Sequence, residues 1–332
     1  MTKPTPVTMR TAVFRRFGPP EVLEVVEVPR PVPARGQVLI RVEATSVNGG
    51  EIAQRQGRLQ RIARTRFPSF PGIDFAGEIV ALGDGVTDVA LGDRVWGTVD
   101  ERGPVGSAAE YLVVERWRLA RRPPHLTSTE AVTLLAGGAT ALVGLRNKVR
   151  LQAGEQLLVR GAAGGVGSIA VQIGVMLGAR VTALAHPASA DFVRSLGAEE
   201  VIDYRTPIED LGRFDVIFDT RGTNLWRLRR RLAPGGRMVT IAFDLDRPWR
   251  SLGAIAASGI FGPRRIRFFL GHPTGALFGE LREIAEARHL RPVVDSVYPL
   301  EQIADAHAAL ESGGVHGKVV VGIGQPRGDS GA

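Results

Sequence analysis

The 332-residue chain contains no cysteine. Disulfides, thiolate-bound zinc and cysteine nucleophiles are therefore excluded. Lysine is almost as scarce: with only Lys3, Lys148 and Lys318 present, the formal net charge of +8 is carried almost wholly by arginine. The arginines are scattered through both halves, with local knots at 227–231 and 264–267. Dispersed charge tunes solubility more than partner choice, whereas phosphate backbones call for a clustered patch, so a nucleic-acid partner is not expected. No uninterrupted apolar run reaches the roughly 18–20 residues of a membrane span, and residues 1–10 lack the apolar stretch of a signal peptide. The expectation is a cytoplasmic protein without a membrane span.

What is present suits a folded protein: 44% hydrophobic and 23% charged residues, over a length sufficient for two domains with separate cores. Up to about Arg121, short apolar runs (22–28, 38–42, 75–82, 94–99 and 111–114) alternate with Gly, Pro and Asp turns. This pattern predicts a β-rich domain, a small barrel or sandwich, with Pro29, Pro31 and Pro33 forming a stiff connector. After Pro123 and Pro124 the character changes. Thr127, with Glu130 three residues later, gives the capping-box spacing at the head of a predicted helix over 131–149.

From Gln156 onward, apolar strand runs (157–160, 180–185, 201–202, 216–218, 238–243) alternate with helical stretches such as 166–177 and 190–196. Strand, helix, strand at this rhythm predicts a parallel sheet with right-handed crossovers, an α/β domain. The segment 244–267, with Pro248, Gly253, Gly259 and Pro263, predicts irregular structure or a short helix. A helix over 276–288, an extended stretch 293–298, a helix over 300–312 and a strand 318–322 close the chain. The run 238–243, as the last strand of the sheet, is expected at an edge where a symmetry mate would pair, making a homodimer.

The most informative motif lies at 157–167, where the strand Leu157-Leu158-Val159-Arg160 runs into Gly161-Ala162-Ala163-Gly164-Gly165-Val166-Gly167. Read as G/A-x-G-x-x-G, Ala162 makes the turn, Gly164 lets backbone approach a pyrophosphate, and Gly167 permits close packing of helix on strand. Backbone N–H groups at the new helix then face the phosphates, from Ala163 through Gly164, Gly165, Val166 and Gly167. A purely structural glycine turn is the alternative, but the strand before and the helix after favour a dinucleotide.

Preference between NADH and NADPH is usually decided at the end of the second strand, where an acid binds the ribose 2′-hydroxyl. Here 180–185 is followed by His186-Pro187-Ala188-Ser189, with no acid. His186 and Ser189 offer donors to a 2′-phosphate, and Tyr204 follows the third strand into the same region. The expectation is NADPH, although an ordinary surface loop also accounts for His186.

With the glycine motif in the second half of a β-then-α/β chain, the sequence resembles the medium-chain dehydrogenase/reductase superfamily, and within it the zinc-independent quinone oxidoreductase branch. The likeness is carried by Phe17-Gly18-Pro19-Pro20-Glu21-Val22-Leu23, Ser46-Val47-Asn48, Pro71 to Gly77, Gly92-Asp93-Arg94-Val95, Gly161 to Gly167, Leu196-Gly197-Ala198, Pro234-Gly235-Gly236-Arg237 and Gly317-Lys318-Val319-Val320.

The resemblance implies a GroES-like catalytic domain built from 1–123 and 270–332, with a Rossmann domain, 124–269, inserted between them. Zinc-dependent members use a Cys-His-acid set; this chain has no cysteine and no histidine before His125, so a zinc-free reaction without a metal site is expected. By resemblance, Asn48 borders the nicotinamide and the substrate. Thr140 makes another nicotinamide contact, and Thr220, Ala242 and Phe269 touch the cofactor from strand ends and the hinge loop. Helix-interior packing for Thr140 and ordinary core for Phe269 stay open.

Two departures stand out. The family's Asn-Pro-x-Asp becomes Asn48-Gly49-Gly50-Glu51, which is expected to loosen that loop, and the lysine common near Ser189 is absent. The implied activity is hydride transfer from NADPH to a quinone or an α,β-unsaturated carbonyl, with Asn48 orienting the acceptor and solvent supplying the proton. An enoyl-thioester reductase of the same fold, or a non-enzymatic NADPH- or RNA-binding protein, are the alternatives.

Overall fold

A computed structural model describes residues 7–60, 64–100, 106–260, 264–269 and 273–324. The chain divides into two compact units, Met1–Ala136 with Pro273–Glu286 and Val294–Ala332, and Gly137–His272 with Ala287–Val293.

The first unit opens on an antiparallel pair, β1 (Thr8–Phe14) and β2 (Leu23–Pro29). There follow β3 (Gln37–Ser46), helix α1 (Gly49–Arg55), β4 (Asp74–Leu82), β5 (Arg94–Thr98), β6 (Tyr111–Glu115) and β7 (Leu119–Arg121). Helix α2 (Ser128–Leu142) starts at the expected capping box: Thr127 Oγ1 accepts from the Glu130 amide at 3.2 Å, and Glu130 Oε2 accepts from the Thr127 amide at 2.8 Å. A wider π-type turn continues it to Lys148.

The second unit then alternates β8 (Gln156–Arg160), α3 (Gly167–Met176), β9 (Arg180–Ala185), α4 (Ala190–Ser195), β10 (Glu200–Asp203), β11 (Phe214–Asp219), α5 (Leu225–Arg229), β12 (Leu232–Thr240), α6 (Pro248–Ile260) and β13 (Ile266–Phe268). The chain returns to the first unit in α7 (Gly275–Glu286), β14 (Val294–Pro299), α8 (Ile303–Ser312) and β15 (Lys318–Gly322). The last strand pairs antiparallel with β3. The C-terminal tail thereby closes a seven-stranded sheet, β14-β15-β3-β4-β5-β7 with β6 on β3. Its core is the apolar face of these strands, Val38, Ile40, Phe75, Ile79, Val95 and Leu112, with Ile303 and Ala306 of α8 packed against it. Alternation of buried and half-exposed residues along β6 shows why: a strand with one covered face needs apolar side chains only at every second position.

In the second unit all strands are parallel, in the order β10-β9-β8-β11-β12-β13. The central strand β8 buries Leu157, Leu158 and Val159 completely, because a parallel strand in the middle of such a sheet is covered on both faces. Chain order reverses between β8 and β11, and at such a switch point two neighbouring connections leave in opposite directions and open a crevice at the strands' carboxyl ends.

Three readings of the sequence are sharpened or corrected here. The segment 244–267 is mostly helix: α6 forms because Gly253 and Gly259 lie on its exposed face and Pro248 sits at its first position, where a missing N–H costs nothing; residues 261–263 of that segment lie outside the described residues. The run 238–243 is not an edge, since β13 pairs along β12 from Met238 to Thr240, so the expected homodimer strand is covered within the chain. Gly49 and Gly50 do not loosen a loop but form the first turn of α1, where the helix holds the backbone that glycine would otherwise leave free. One helix, Ser128–Lys148, is long and apolar enough by composition to cross a membrane, but most of it is buried inside the fold, as a core helix is.

Candidate dinucleotide and acceptor site

The glycine turn of the second unit is built from backbone outward. Gly161, not Ala162, is the residue that turns the chain: its φ is +80°, where a side chain is disfavoured, and a Cβ there would stand 2.2 Å from Thr220 Oγ1. Ala162 is fully buried beneath it. Gly167 is required for packing, because a Cβ would stand 2.0 Å from the Gly161 carbonyl oxygen. At Gly164 a Cβ would meet nothing nearer than that oxygen at 3.6 Å, so this side of the turn is open. The first helical bond of α3 runs from the Ser168 amide to the Gly164 carbonyl at 2.8 Å. The preceding amides, Gly165, Val166 and Gly167, therefore have no partner within the helix and carry its positive end. An open cradle at that end fits the pyrophosphate of a dinucleotide.

The strand ends beside this turn are tied together by a residue the sequence reading missed, Asp219. Fully buried at the end of β11, its carboxylate accepts from the Gly222 amide at 2.8 Å, Thr240 Oγ1 at 2.8 Å and Arg160 Nη1 at 3.1 Å. It thus fixes the ends of β8, β11 and β12 at one level. Thr220 rests under the turn and donates to the Arg160 carbonyl at 2.8 Å. Ala242 lies against Gly222, whose Cβ would come within 2.5 Å of its carbonyl. An aspartate ending an apolar strand was the available signal.

Helix α2 packs on the same turn, since a Cβ on Gly137 would stand 2.6 Å from the Gly165 carbonyl oxygen. Thr140 lies one turn further along that face. Phe269 sits against the π-type turn, with the Lys148 ammonium 5.5 Å from its ring centre.

Around the end of β9, exposed His186 accepts at Nδ1 from the Ala188 amide at 3.1 Å, so in the neutral ring its Nε2 carries the proton. Tyr204, exposed, lies with its ring centre 6.0 Å from that imidazole. Ser189 is buried and its amide donates to the His186 carbonyl at 2.8 Å. One acid does stand nearby, Asp203, in register with Ala185. Arg205 grips both its oxygens at 2.6–3.1 Å, and that bidentate bond holds the Asp203 carboxyl below its ordinary range. Arg194, similarly, is engaged by Asp191 at 2.8 Å.

In the first unit, Asn48 stands at the head of α1 with both its amide nitrogen and its amide oxygen hydrogen-bonded. Its nitrogen donates to the Ser46 carbonyl and to Glu51 Oε1, both at 3.1 Å, while its oxygen accepts from the Lys318 ammonium. Lys318 also donates to Ser46 Oγ at 3.0 Å, and that hydroxyl donates to Asp74 Oδ2 at 2.6 Å. Asp74 Oδ1 accepts from the Ser46 amide at 2.8 Å. Burial and the nearby Asp74 charge push the Glu51 carboxyl up to about 8, against the pull of Asn48 and Lys318. Neither Glu51 nor Lys318 was singled out from the sequence for such a role, because only β3–β15 pairing brings residue 318 beside residue 46. Among the described residues no group of three His, Cys, Asp or Glu side chains could hold a metal ion.

Comparison with known proteins extends these observations. Residues 34–124 match the alcohol dehydrogenase GroES-like domain, and 196–321 match a family described as zinc-binding dehydrogenase. The chain is 33% identical over 328 residues to an NADPH-dependent alkenal/one oxidoreductase of Arabidopsis thaliana, covering 95% of this chain and 80% of that protein. It is 31% identical to a 2-methylene-furan-3-one reductase of Solanum lycopersicum, covering 95% of this chain and 79% of the other. Among solved structures, the quinone oxidoreductase from Coxiella burnetii superposes with a TM-score of 0.85 at 27% identity, over 96% of this chain and all of that one.

Proposed function

Because the chain belongs to the quinone oxidoreductase-like branch of the medium-chain dehydrogenase/reductase superfamily, we propose that it is an NADPH-dependent reductase of quinones or α,β-unsaturated carbonyls. The observation that carries this reading is the open glycine cradle at the head of α3 beside a β9 end without an acid of its own. The neighbouring carboxylate Asp203 is paired with Arg205, so its repulsion of a 2′-phosphate is reduced.

In this reading the helix end and the Gly164 to Gly167 backbone hold the pyrophosphate. His186 Nε2, Ser189 and Tyr204 surround the 2′-phosphate, and Thr220, Ala242, Thr140 and Phe269 line the path towards the nicotinamide. The bound nucleotide supplies the hydride. What the protein contributes is orientation and exclusion of water. Asn48 has both N–H groups engaged and its oxygen already accepts from Lys318, so any hydrogen bond it makes to the acceptor uses the remaining lone pair of that oxygen. The quinone and enone names of the relatives support the choice of acceptor.

The test is nucleotide oxidation against quinones, 2-alkenals, cyclic enones and enoyl thioesters, with NADPH and with NADH. Turnover of quinones or enones at a kcat/KM for NADPH well above that for NADH is expected. Turnover confined to enoyl thioesters, or equal use of the two nucleotides, would overturn the corresponding half of the proposal.

A further inference from the structure

The reaction as proposed leaves unused a set of charges buried beneath Asn48. Glu51, Asp74 and Lys318 are only 6%, 0% and 4% exposed. Two carboxyls and one ammonium cannot all be ionised in so small a buried volume without one uncompensated negative charge, and such a charge is costly away from water. The geometry says which carboxyl keeps its charge. Asp74 takes two hydrogen bonds from Ser46, through amide and hydroxyl, and lies 3.8 Å from the Lys318 ammonium. Three donors or cations stabilise its anion. Glu51 takes a bond from the Asn48 amide and another from the backbone of Gly72. It is therefore the group that stays protonated, and the cluster is neutral as Lys318⁺, Asp74⁻ and Glu51–H.

We infer that Glu51 and Lys318 are positioning residues that hold the two ends of the Asn48 amide, and that loss of the Glu51 proton releases this hold. This rests on the reading that Asn48 borders the nicotinamide. With Glu51 neutral, the ammonium is shared between Asn48 Oδ1 and the Ser46–Asp74 pair. A second carboxylate would compete for that ammonium and draw it from the amide oxygen, so that Asn48 could rotate. The charged groups facing Glu51 are Asp74 from β4 and Lys318 from β15. One turn further along α1, Arg55 is engaged by Glu311 of α8, and His307 of α8 faces Arg55 rather than Glu51. The chain thus has its own alkaline limit, set by Glu51.

The deciding experiment follows one carboxyl by infrared difference spectroscopy between pH 6.5 and 9.5, in wild type and Glu51→Gln, alongside fluorescence titration of NADPH. A carboxylic-acid band that disappears over this interval in wild type, and is missing in Glu51→Gln, is expected. NADPH affinity should weaken over the same interval in wild type and stay level in the variant. The kcat/KM of wild type should fall tenfold per pH unit above the transition, while Glu51→Gln loses that limb, whatever its level at neutral pH. Lys318→Met, checked for folding by circular dichroism, should weaken NADPH at every pH, with Lys318→Arg restoring part of the loss. Absence of the band in wild type, or an unchanged alkaline limb in Glu51→Gln, would overturn the inference. Should wild type reduce no acceptor at all, the proposed reaction fails, while the band and the NADPH titration still decide this point.

Discussion

Two buried residues of the first unit titrate away from their ordinary positions, in opposite directions, and this shapes stability against pH. His307, on α8, has both ring nitrogens buried without a hydrogen-bond partner. Burial, helped by the charge of Arg55, pushes its imidazolium down to about 3 from an ordinary 6.5. A depressed value means that its contribution is complete above about 6.5 and is lost as pH falls towards 3. Replacing it by phenylalanine should therefore flatten the acid limb of the thermal midpoint, with little cost at neutral pH, since no hydrogen bond is forfeited.

Glu51 works the other way. Its raised value favours the protonated folded state, so its contribution is complete below about 4.5 and is lost as pH rises towards 8. Glu51→Gln should remove a decline whose slope is at most about 1.4 kcal/mol per pH unit over that window. Calorimetric melts across pH 3.5–9.5 measure both; an unchanged slope in either variant would refute the corresponding assignment.

At the scale of the elements, the glycine turn and the capping of α2 make separable predictions. Gly167→Ala places a methyl group 2.0 Å from the Gly161 carbonyl, and backbone on both sides leaves little room for relaxation. The strand-to-helix turn must open, and NADPH affinity should fall roughly tenfold or more by fluorescence titration, as the amides lose their aim. Gly164→Ala meets no such wall, so its effect should appear in nucleotide affinity and not in the melting temperature. Thr127→Ala removes the capping hydroxyl from α2 and should cost about 1 kcal/mol in denaturant unfolding.

Elements were legible in the sequence where periodicity and caps agree, as at β8, α3, β9 and β15. They were least legible at α6, whose Gly253, Gly259 and nearby Pro263 signal a break. The helix survives because tertiary packing of Ser251 and Ser258 into the fold overrides weak propensity, with Ser258 Oγ accepting from the Ile266 amide at 2.9 Å.

For the whole molecule, several of the arginines that carry the +8 charge are paired with acids of their own unit. Arg10 with Glu110, Arg41 with Glu78, Arg160 with Asp219 and Arg237 with Glu155 are four such pairs. Filter binding to single-stranded RNA at physiological salt should accordingly show no steep dependence on ionic strength; a steep one would reopen that partner class. The sequence by itself determined the two-part organisation, the glycine turn and the closure of any thiolate metal chemistry, because composition and short-range spacing are local properties that folding does not alter. Tertiary structure alone decided that Gly161 turns the chain, that Asp219 ties three strand ends, that β13 covers the expected dimer edge, and that Lys318 meets Asn48. Each of these joins residues distant in the chain or depends on backbone angles. Whether a buried carboxyl keeps its proton depends likewise on neighbours assembled only when the last strand pairs with β3.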